Sequence, residues 1–405
     1  SKEAEVRALV NTSNATRAFR LAPAVQQESY LAQVRALART DPGKVDAKMI
    51  PVLEGIYNEQ QKQIKESPVN FVIGQGLVDM KTPAAKPLDT SKPEMLAALP
   101  DRISLAREAA ARTAGPFKPL TREETDLAVA TLKTLDTAGK RAYFGNLAKS
   151  VGSDFQGYTA IMAQIAPDQP VLAHAGIASA RKLDDGKGNN LSNLLLIGNN
   201  ILNPPSRTDG KPDGGKLLPL PPENKMRMEF DNYVRDAFAG NSDARSGYYQ
   251  SARAVYAALS SQAGDKDTSI LDNSRWEKAM KLAIGGVERY NGRNTVMPWG
   301  LDYGQFKDGL NERINSILES GRLNPNMTPQ KMRDMQLEPT GDGKYIMKSG
   351  DSVLVDKSGR AVIIDFTRPP VWTPPKVMDK APTPAELDEA KKPYYGTPRR
   401  KGEAK

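Results

Sequence analysis

The sequence of 405 residues lacks cysteine and contains a single histidine, His174. Without cysteine, the chain forms no disulfide, zinc–thiolate site or iron–sulfur cluster, and it has no thiol nucleophile. One histidine excludes a metal site built from several histidines, and it restricts a Ser-His-Asp triad to that residue. Several enzyme classes are therefore excluded before any motif is considered.

Long apolar runs and aromatic residues are also scarce. No run approaches the ~20 apolar residues of a membrane-spanning helix, and aromatic residues make up only 6% of the chain. The 57 basic and 48 acidic residues give a net charge of +9. Most of these charges alternate in sign along predicted helices, which indicates a solvated surface and not a concentrated DNA-binding face.

Apolar residues recur at helical spacing through most of the chain, and the breaks between them are rich in proline and glycine. This pattern predicts six segments. They are an N-terminal helical region (1–115), a central helical domain (116–202), a Pro/Gly-rich extended linker (203–225), a second helical domain (226–338), a small β-meander (339–368) and a Pro-rich basic tail (369–405). We expect the linker and the tail to lie across neighbouring subunits.

The meander is predicted because the pattern changes near residue 340. Short apolar runs at 344–347, 352–356 and 361–365 are separated by glycine-containing turns. The predicted fold class is therefore mainly α, an irregular multi-helix architecture with a small β-meander near the C-terminus and an extended Pro-rich tail.

Three patterns of the S/T-x-x-E type predict helix starts, at 91–94, 121–124 and 274–277. Apolar positions after the third pattern continue at helical spacing from Trp276 to Val287. We therefore expect this helix to include Val287.

Residues 210–216 (GKPDGGK) fit the spacing of a phosphate-binding loop. The next residue is Leu217, where such a loop needs Ser or Thr to bind magnesium, and no strand precedes the pattern. We interpret the segment as an ordinary loop, and no motif in the sequence predicts a cofactor or a metal.

Glu66-Ser67 is of interest because lytic transglycosylases carry a catalytic Glu followed by Ser. Their acid must be buried in order to protonate the glycosidic oxygen. Pro68 directly after the pair is atypical, and 76–79 (GLVD) is a poor match to the downstream signature of those enzymes. We interpret the pair as a polar helix end.

Other candidate residues favour structural roles. His174 lies in an apolar helical stretch and is predicted to pack there, and the pair Asp184/Asp185 lacks the pattern of a calcium loop. Helical spacing predicts packing, and not base stacking, for Tyr248, Tyr249, Tyr256, Trp276, Tyr290 and Trp299. The predicted nucleic-acid contacts are Arg399, Arg400 and Lys401, near Tyr394 and Tyr395, and such contacts would be sensitive to salt and independent of sequence.

Three segments and a hairpin-like region occur in a recognisable order. They are 119–168, then 230–238 with 252–259, then 271–287 with 296–300, followed by 343–365. This order resembles non-catalytic regions of the internal virion proteins of tailed bacteriophages, also called ejection or DNA-transfer proteins. The resemblance spans 119–366, about 60% of the chain. Some of those proteins also carry a lytic transglycosylase domain, whose motif is absent here.

The resemblance implies a structural protein without enzymatic activity. Such proteins are packaged inside the capsid near the portal, leave before the genome and reassemble in the host envelope as a conduit for DNA. The implied partners are further copies of the chain, portal, tail or other ejection proteins, DNA without sequence preference, and the host envelope without a transmembrane helix. The implied locations are the virion and, after ejection, the host periplasm or cell envelope.

Two alternatives stay open from the sequence. One is a divergent peptidoglycan hydrolase of the lytic transglycosylase type, or its accessory region, with Glu66 as the acid. The other is a DNA-binding or scaffolding virion protein, whose binding should weaken steeply with salt.

Overall fold

The computed structural model describes residues 16–20, 22, 24–41, 48–76, 82–113, 115–180, 187–205, 218–341, 343–357 and 359–366. This part of the chain is mainly helical and carries a small antiparallel β-sheet near its C-terminal end, which confirms the predicted fold class. The tail at 369–405 lies outside the described residues.

The chain divides into two compact units, an N-terminal unit of residues 1–128 and a C-terminal unit of residues 129–405. The boundary falls within a helix, Arg122–Thr134. The six segments predicted from the sequence are based on changes in composition. Composition does not show which residues form a compact unit, so these segments stay a prediction.

The N-terminal unit is built from helices and two short 3₁₀ turns. The helices are α1 (Ala24–Thr40), α2 (Met49–Glu66), α3 (Pro68–Gly74), α4 (Leu99–Thr113) and the first part of α5 (Arg122–Thr134), and the 3₁₀ turns are Pro83–Ala85 and Leu96–Ala98. Leu31 of α1 packs with Leu53 of α2 and with Phe19. A second core joins Val69 and Val72 of α3 to α4. Burial of these apolar faces stabilises helices that are too short to be stable alone.

The C-terminal unit continues the helical pattern. Its helices are α6 (Thr137–Val151), α7 (Phe155–Ile165), α8 (Pro170–Ala180), α9 (Lys187–Leu202), α10 (Glu223–Val234), α11 (Ser242–Gln262), α12 (Asn273–Ile284), α13 (Tyr303–Glu319) and α14 (Pro329–Arg333). Helix α9 packs against α8 and α11, and α11 packs against α12. Acidic or amide side chains at Asp136, Asp154, Asn241, Asp272 and Asp302 accept a backbone N–H of the first turn and begin five of these helices.

Two small antiparallel sheets complete this unit. The first pairs β1 (Val287–Tyr290) with β2 (Arg293–Val296), and the second contains β3 (Gln336–Gly341), β4 (Lys344–Ser349), β5 (Ser352–Val353) and β6 (Ile363–Asp365). Strand β4 pairs with β3 on one side and with β5 and β6 on the other. The inner face of the second sheet, including Tyr345 and Met347, packs against Phe306 and Leu310 of α13.

The structure confirms one predicted helix start and corrects two. Thr121 Oγ1 accepts the N–H of Glu124 at 3.2 Å, and the Glu124 carboxylate accepts the N–H of Thr121 at 2.9 Å, so the capping box at 121–124 is confirmed. The start predicted at 91–94 is wrong, because Ser91 donates both its N–H and its hydroxyl to Asp89 and forms a turn. The start predicted at 274–277 is also wrong, since Asp272 is the N-cap of α12.

The expectation that Val287 continues α12 is wrong. The helix ends at Ile284, because Gly285 and Gly286 adopt φ angles of 95° and 104°, a left-handed conformation that glycine adopts easily. Val287 instead begins β1. The turn between β1 and β2 is Asn291-Gly292, and both residues have positive φ, as a tight hairpin turn requires.

Candidate functional site

Several candidates from the sequence lie outside the described residues. They are the loop at 210–216, the pair Asp184/Asp185, and the predicted nucleic-acid contacts Arg399, Arg400 and Lys401. The pair Glu66-Ser67, His174 and the six aromatic residues lie within the described ranges.

The pair Glu66-Ser67 lies at a helix end, as predicted. Glu66 is the last residue of α2 and is exposed. The ammonium group of Lys118 donates to the carbonyl oxygens of Lys65 at 2.7 Å and Glu66 at 3.4 Å, which places a positive charge at the C-terminal end of α2. A general acid for glycoside cleavage needs an enclosed carboxyl, so the surroundings of Glu66 favour a structural role.

His174 packs inside the C-terminal unit, as predicted. Its Nδ1 atom lies 2.7 Å from the hydroxyl oxygen of Ser251 on α11, and its ring lies 4.7 Å from the ring of Tyr248. Ser251 is only 1% exposed. A nucleophilic serine must be reached by its substrate, whereas this hydroxyl is enclosed between α8 and α11. The pair therefore acts as a polar link between two helices.

The six aromatic residues considered as stacking platforms are buried, which confirms the packing predicted for them. The ring of Trp276 meets those of Tyr249 and Tyr256 edge to face, with centroids 6.4 Å and 5.8 Å apart. The guanidinium of Arg227 also lies 4.2 Å from the centroid of the Tyr249 ring. These faces are occupied by protein, so they do not offer stacking surfaces to bases.

Buried aromatic residues also join the last three of the four segments that carry the sequence resemblance. Phe230 on α10 contacts Tyr249 on α11, with ring centroids 5.3 Å apart, and Tyr249 contacts Trp276 on α12. The indole N–H of Trp299 donates to the carbonyl of Ala283 at 2.9 Å. The hydroxyl of Tyr345 on β4 donates to the carbonyl of Val296 on β2 at 2.5 Å. The last three segments, which are separate in sequence, thus pack against one another in the C-terminal unit.

Part of one face of the second sheet is apolar and exposed. We call the side chains of Ile346, Val353, Val355 and Ile363 the outer sheet face. Val353, Val355 and Ile363 are 39–50% exposed, and Ile363 is the cross-strand partner of the half-buried Ile346. The residues between them, such as Tyr345 and Ile364, point into the core, because successive side chains of a strand alternate. Clustered exposed apolar residues are typical of contact surfaces.

Lys140 is a buried cation that the sequence did not single out. It lies on α6 and is only 1% exposed. Its ammonium group donates to Oδ1 of Asn200 on α9, and Nδ2 of Asn200 donates to the hydroxyl of Thr137 at 3.0 Å. Burial lowers the pKa of Lys140 from 10.5 to about 8, while the negative charge of Asp136 acts in the opposite direction. Lys140 is thus a buried ammonium group with a lowered pKa and a neutral hydrogen-bond partner.

The described ranges contain neither a cluster of metal-ligating side chains nor a membrane-spanning helix. No three side chains among His, Asp and Glu lie together as metal ligands would in these ranges. No helix in them is both long enough and apolar enough to cross a lipid bilayer.

No protein-family model, curated protein or solved structure matches the chain.

Proposed function

We propose that the chain is a structural, homo-oligomeric internal virion protein of a tailed bacteriophage that helps to deliver DNA across the host cell envelope. The observation that supports this function most directly is the packing of the last three resembling segments against one another. Phe230 and Trp276 lie in those segments and both contact Tyr249, and the hydroxyl of Tyr345 reaches the carbonyl of Val296. These parts of the resemblance thus cover residues that fold together.

In this proposal the chain acts by binding and assembly, and it makes or breaks no covalent bond. Other copies of the chain, and neighbouring portal, tail or ejection proteins, would be its partners. It would lie inside the capsid near the portal and enter the host envelope after ejection. The absence of cysteine suits this route, because no disulfide has to form again between compartments of different redox potential.

The outer sheet face is the surface that we assign to contact between copies. A stable interface buries about 800 Å² on each partner, which is more than four side chains can supply. We therefore expect the tail at 369–405, which follows directly in the sequence, to contribute to the same contact.

The function is tested by mass spectrometry of purified virions of the phage that encodes the chain. We expect the polypeptide in filled virions and its loss from particles that have ejected their DNA. Absence from filled virions would refute the proposal, and retention in emptied particles would refute the ejection step.

Deleting residues 369–405 should lower the mass of the oligomer more than it lowers the melting temperature. The described core ends at Phe366, so the contacts among its own residues are kept in the shortened chain. The check is light scattering coupled to size-exclusion chromatography, with calorimetry on the same samples.

A pair of point variants controls for a general effect of shortening the chain. Ile363→Lys places a charge on the outer sheet face and should also lower the oligomer mass. Ile270→Lys changes another exposed isoleucine, which is 84% exposed and not in the outer sheet face, and should leave the mass unchanged. An unchanged oligomer mass after the deletion would count against a role of the tail in assembly.

A further inference from the structure

A polar cavity of about 330 Å³ lies within the C-terminal unit, next to Lys140. Its walls come from α5, α6, α8, α11 and the C-terminal end of α9. Six polar side chains of its lining could contact a ligand, namely Lys133, Lys140, Asp168, Asn199, Asn203 and Gln250. Two lysines and one aspartate give this set a formal charge of 2 − 1 = +1. The volume is in the range of sites for small molecules.

The charge of Lys140 is incompletely compensated. Its ammonium group has three N–H donors, and its hydrogen-bond acceptor is a neutral amide oxygen of Asn200. Within the described ranges it forms no ion pair. The acid that influences it is Asp136, whose carboxylate accepts the N–H of Gly139 at 2.7 Å as the N-cap of α6. A buried lysine is usually paired with a negative charge, so this arrangement favours an anion from outside the chain.

The other lining groups suit an oxyanion. Asn199, Asn203 and Gln250 carry amide N–H donors, which bind carboxylate or phosphate oxygens. Asn199 is itself buried, so its side chain is held in place. Lys133 is exposed and adds a second positive charge to the lining. Asp168 is the one carboxylate in the lining, and it repels an anion, so the ligand is expected on the side of the two lysines.

We infer that this cavity is a binding site for a small molecule carrying an oxyanion, a phosphate or carboxylate group that Lys140 and Lys133 hold between them. This inference goes beyond the proposed virion function and does not depend on it. The lowered pKa of Lys140 gives the site a pH dependence. Lys140 is charged below pH 8 and loses its proton above it, so affinity for an anion falls as the pH rises through about 8.

The test is isothermal titration calorimetry of the full chain with sulfate at constant ionic strength. Sulfate stabilises many proteins without binding to a site, so heat of binding is measured directly and chloride replaces sulfate in the reference. Sulfate keeps its charge between pH 7 and pH 9. With a pKa of about 8 for Lys140, its affinity should fall about 10-fold over this interval.

Two variants locate the site and one controls for charge. Lys140→Met should abolish the pH-dependent binding, and Lys133→Met, at an exposed position, should weaken binding several-fold without loss of the fold. Lys149→Met removes an exposed lysine from the same helix as Lys140, outside the cavity lining, and should bind sulfate as the unchanged chain does. If Lys140→Met does not fold, Lys133→Met and the pH profile still decide the question.

Further titrations with phosphate and with acetate separate the two ligand classes. Tighter binding of phosphate assigns the site to phosphorylated molecules, and tighter binding of acetate assigns it to carboxylates. Sulfate binding that is equal in Lys140→Met and the unchanged chain would overturn the inference. Equal losses in Lys149→Met and Lys133→Met would also overturn it, because they would indicate general attraction by surface charge. The same conclusion would follow if glucose, a neutral molecule, displaced sulfate.

Discussion

Replacing Glu124 with alanine should lower the free energy of unfolding of the N-terminal unit by about 3–5 kcal/mol. The Glu124 carboxylate binds Nη1 of Arg102 with both oxygens, at 2.7 Å and 2.9 Å, and the two side chains are 6% and 2% exposed. The carboxylate also accepts the backbone N–H groups of Leu88 at 2.7 Å and Thr121 at 2.9 Å. One side chain thus satisfies a cation and two backbone donors.

Arg102 extends this network to the segment before α4. Its Nε atom donates to the carbonyl of Ala84 at 2.6 Å, and Nη2 donates to the carbonyl of Lys86. The pair therefore fixes residues 83–88, which have little regular structure, against α4 and α5. Without Glu124 the guanidinium stays buried without its counter-charge, and this loss accounts for most of the expected destabilisation.

Urea unfolding of the full chain measures the effect on the transition of the N-terminal unit. Asp126→Ala is the matched control, because Asp126 is an exposed acid on the same helix, and its loss should cost less than about 1 kcal/mol. The double variant Arg102→Met, Glu124→Leu should recover only part of the lost stability, since an apolar pair needs no counter-charge but leaves the N–H groups of Leu88 and Thr121 without their acceptor. A loss below about 1 kcal/mol for Glu124→Ala would show that the pair does not carry this role.

The same residues show which features the sequence could predict. The capping box at 121–124 was predictable because its partners are three residues apart and the pairing is local. The contact of Glu124 with Arg102 spans 22 residues and depends on how α4 packs against α5. Spacing along the chain carries no information on such a contact. The same holds for Lys140, whose burial depends on Asn200, 60 residues away.

Some of the strands could be predicted from the sequence, and others could not. The turns around β4, β5 and β6 contain glycine and mark short apolar runs, so a small antiparallel sheet was predictable, whereas β3 and the pairing of β6 with β4 were not. The β1–β2 hairpin was missed, although Gly285-Gly286 and Asn291-Gly292 both signal a break in the helix. The apolar spacing from Ala283 to Val287 fits a helix, but the two glycines between these residues end it. The left-handed backbone conformation of Gly285 ends α12 and allows β1 to begin at Val287.

Replacing Gly198 with alanine should lower the free energy of unfolding of the C-terminal unit by about 2–3 kcal/mol. Gly198 lies on α9 where that helix crosses α11. A Cβ atom at this position would lie 1.8 Å from the carbonyl oxygen of Ala254 and 2.4 Å from its carbonyl carbon. Both atoms belong to backbone, which cannot rotate away as a side chain can, so the two helices would have to separate. Such overpacking costs about 3 kcal/mol or more, while the better helix propensity of alanine offsets at most about 1 kcal/mol.

Gly55→Ala provides the matched control, because we expect it to raise the free energy of unfolding instead of lowering it. Gly55 lies within α2, and a Cβ atom there would meet nothing within 4 Å. Alanine should therefore stabilise the N-terminal unit by about 0.5–1 kcal/mol, because it restricts the unfolded chain at no steric cost. Both variants make the same chemical change in a helix, so only the distance to neighbouring atoms separates their effects. Circular dichroism during urea unfolding measures both. A gain in stability for Gly198→Ala would mean that α9 and α11 do not approach as closely as their backbones indicate.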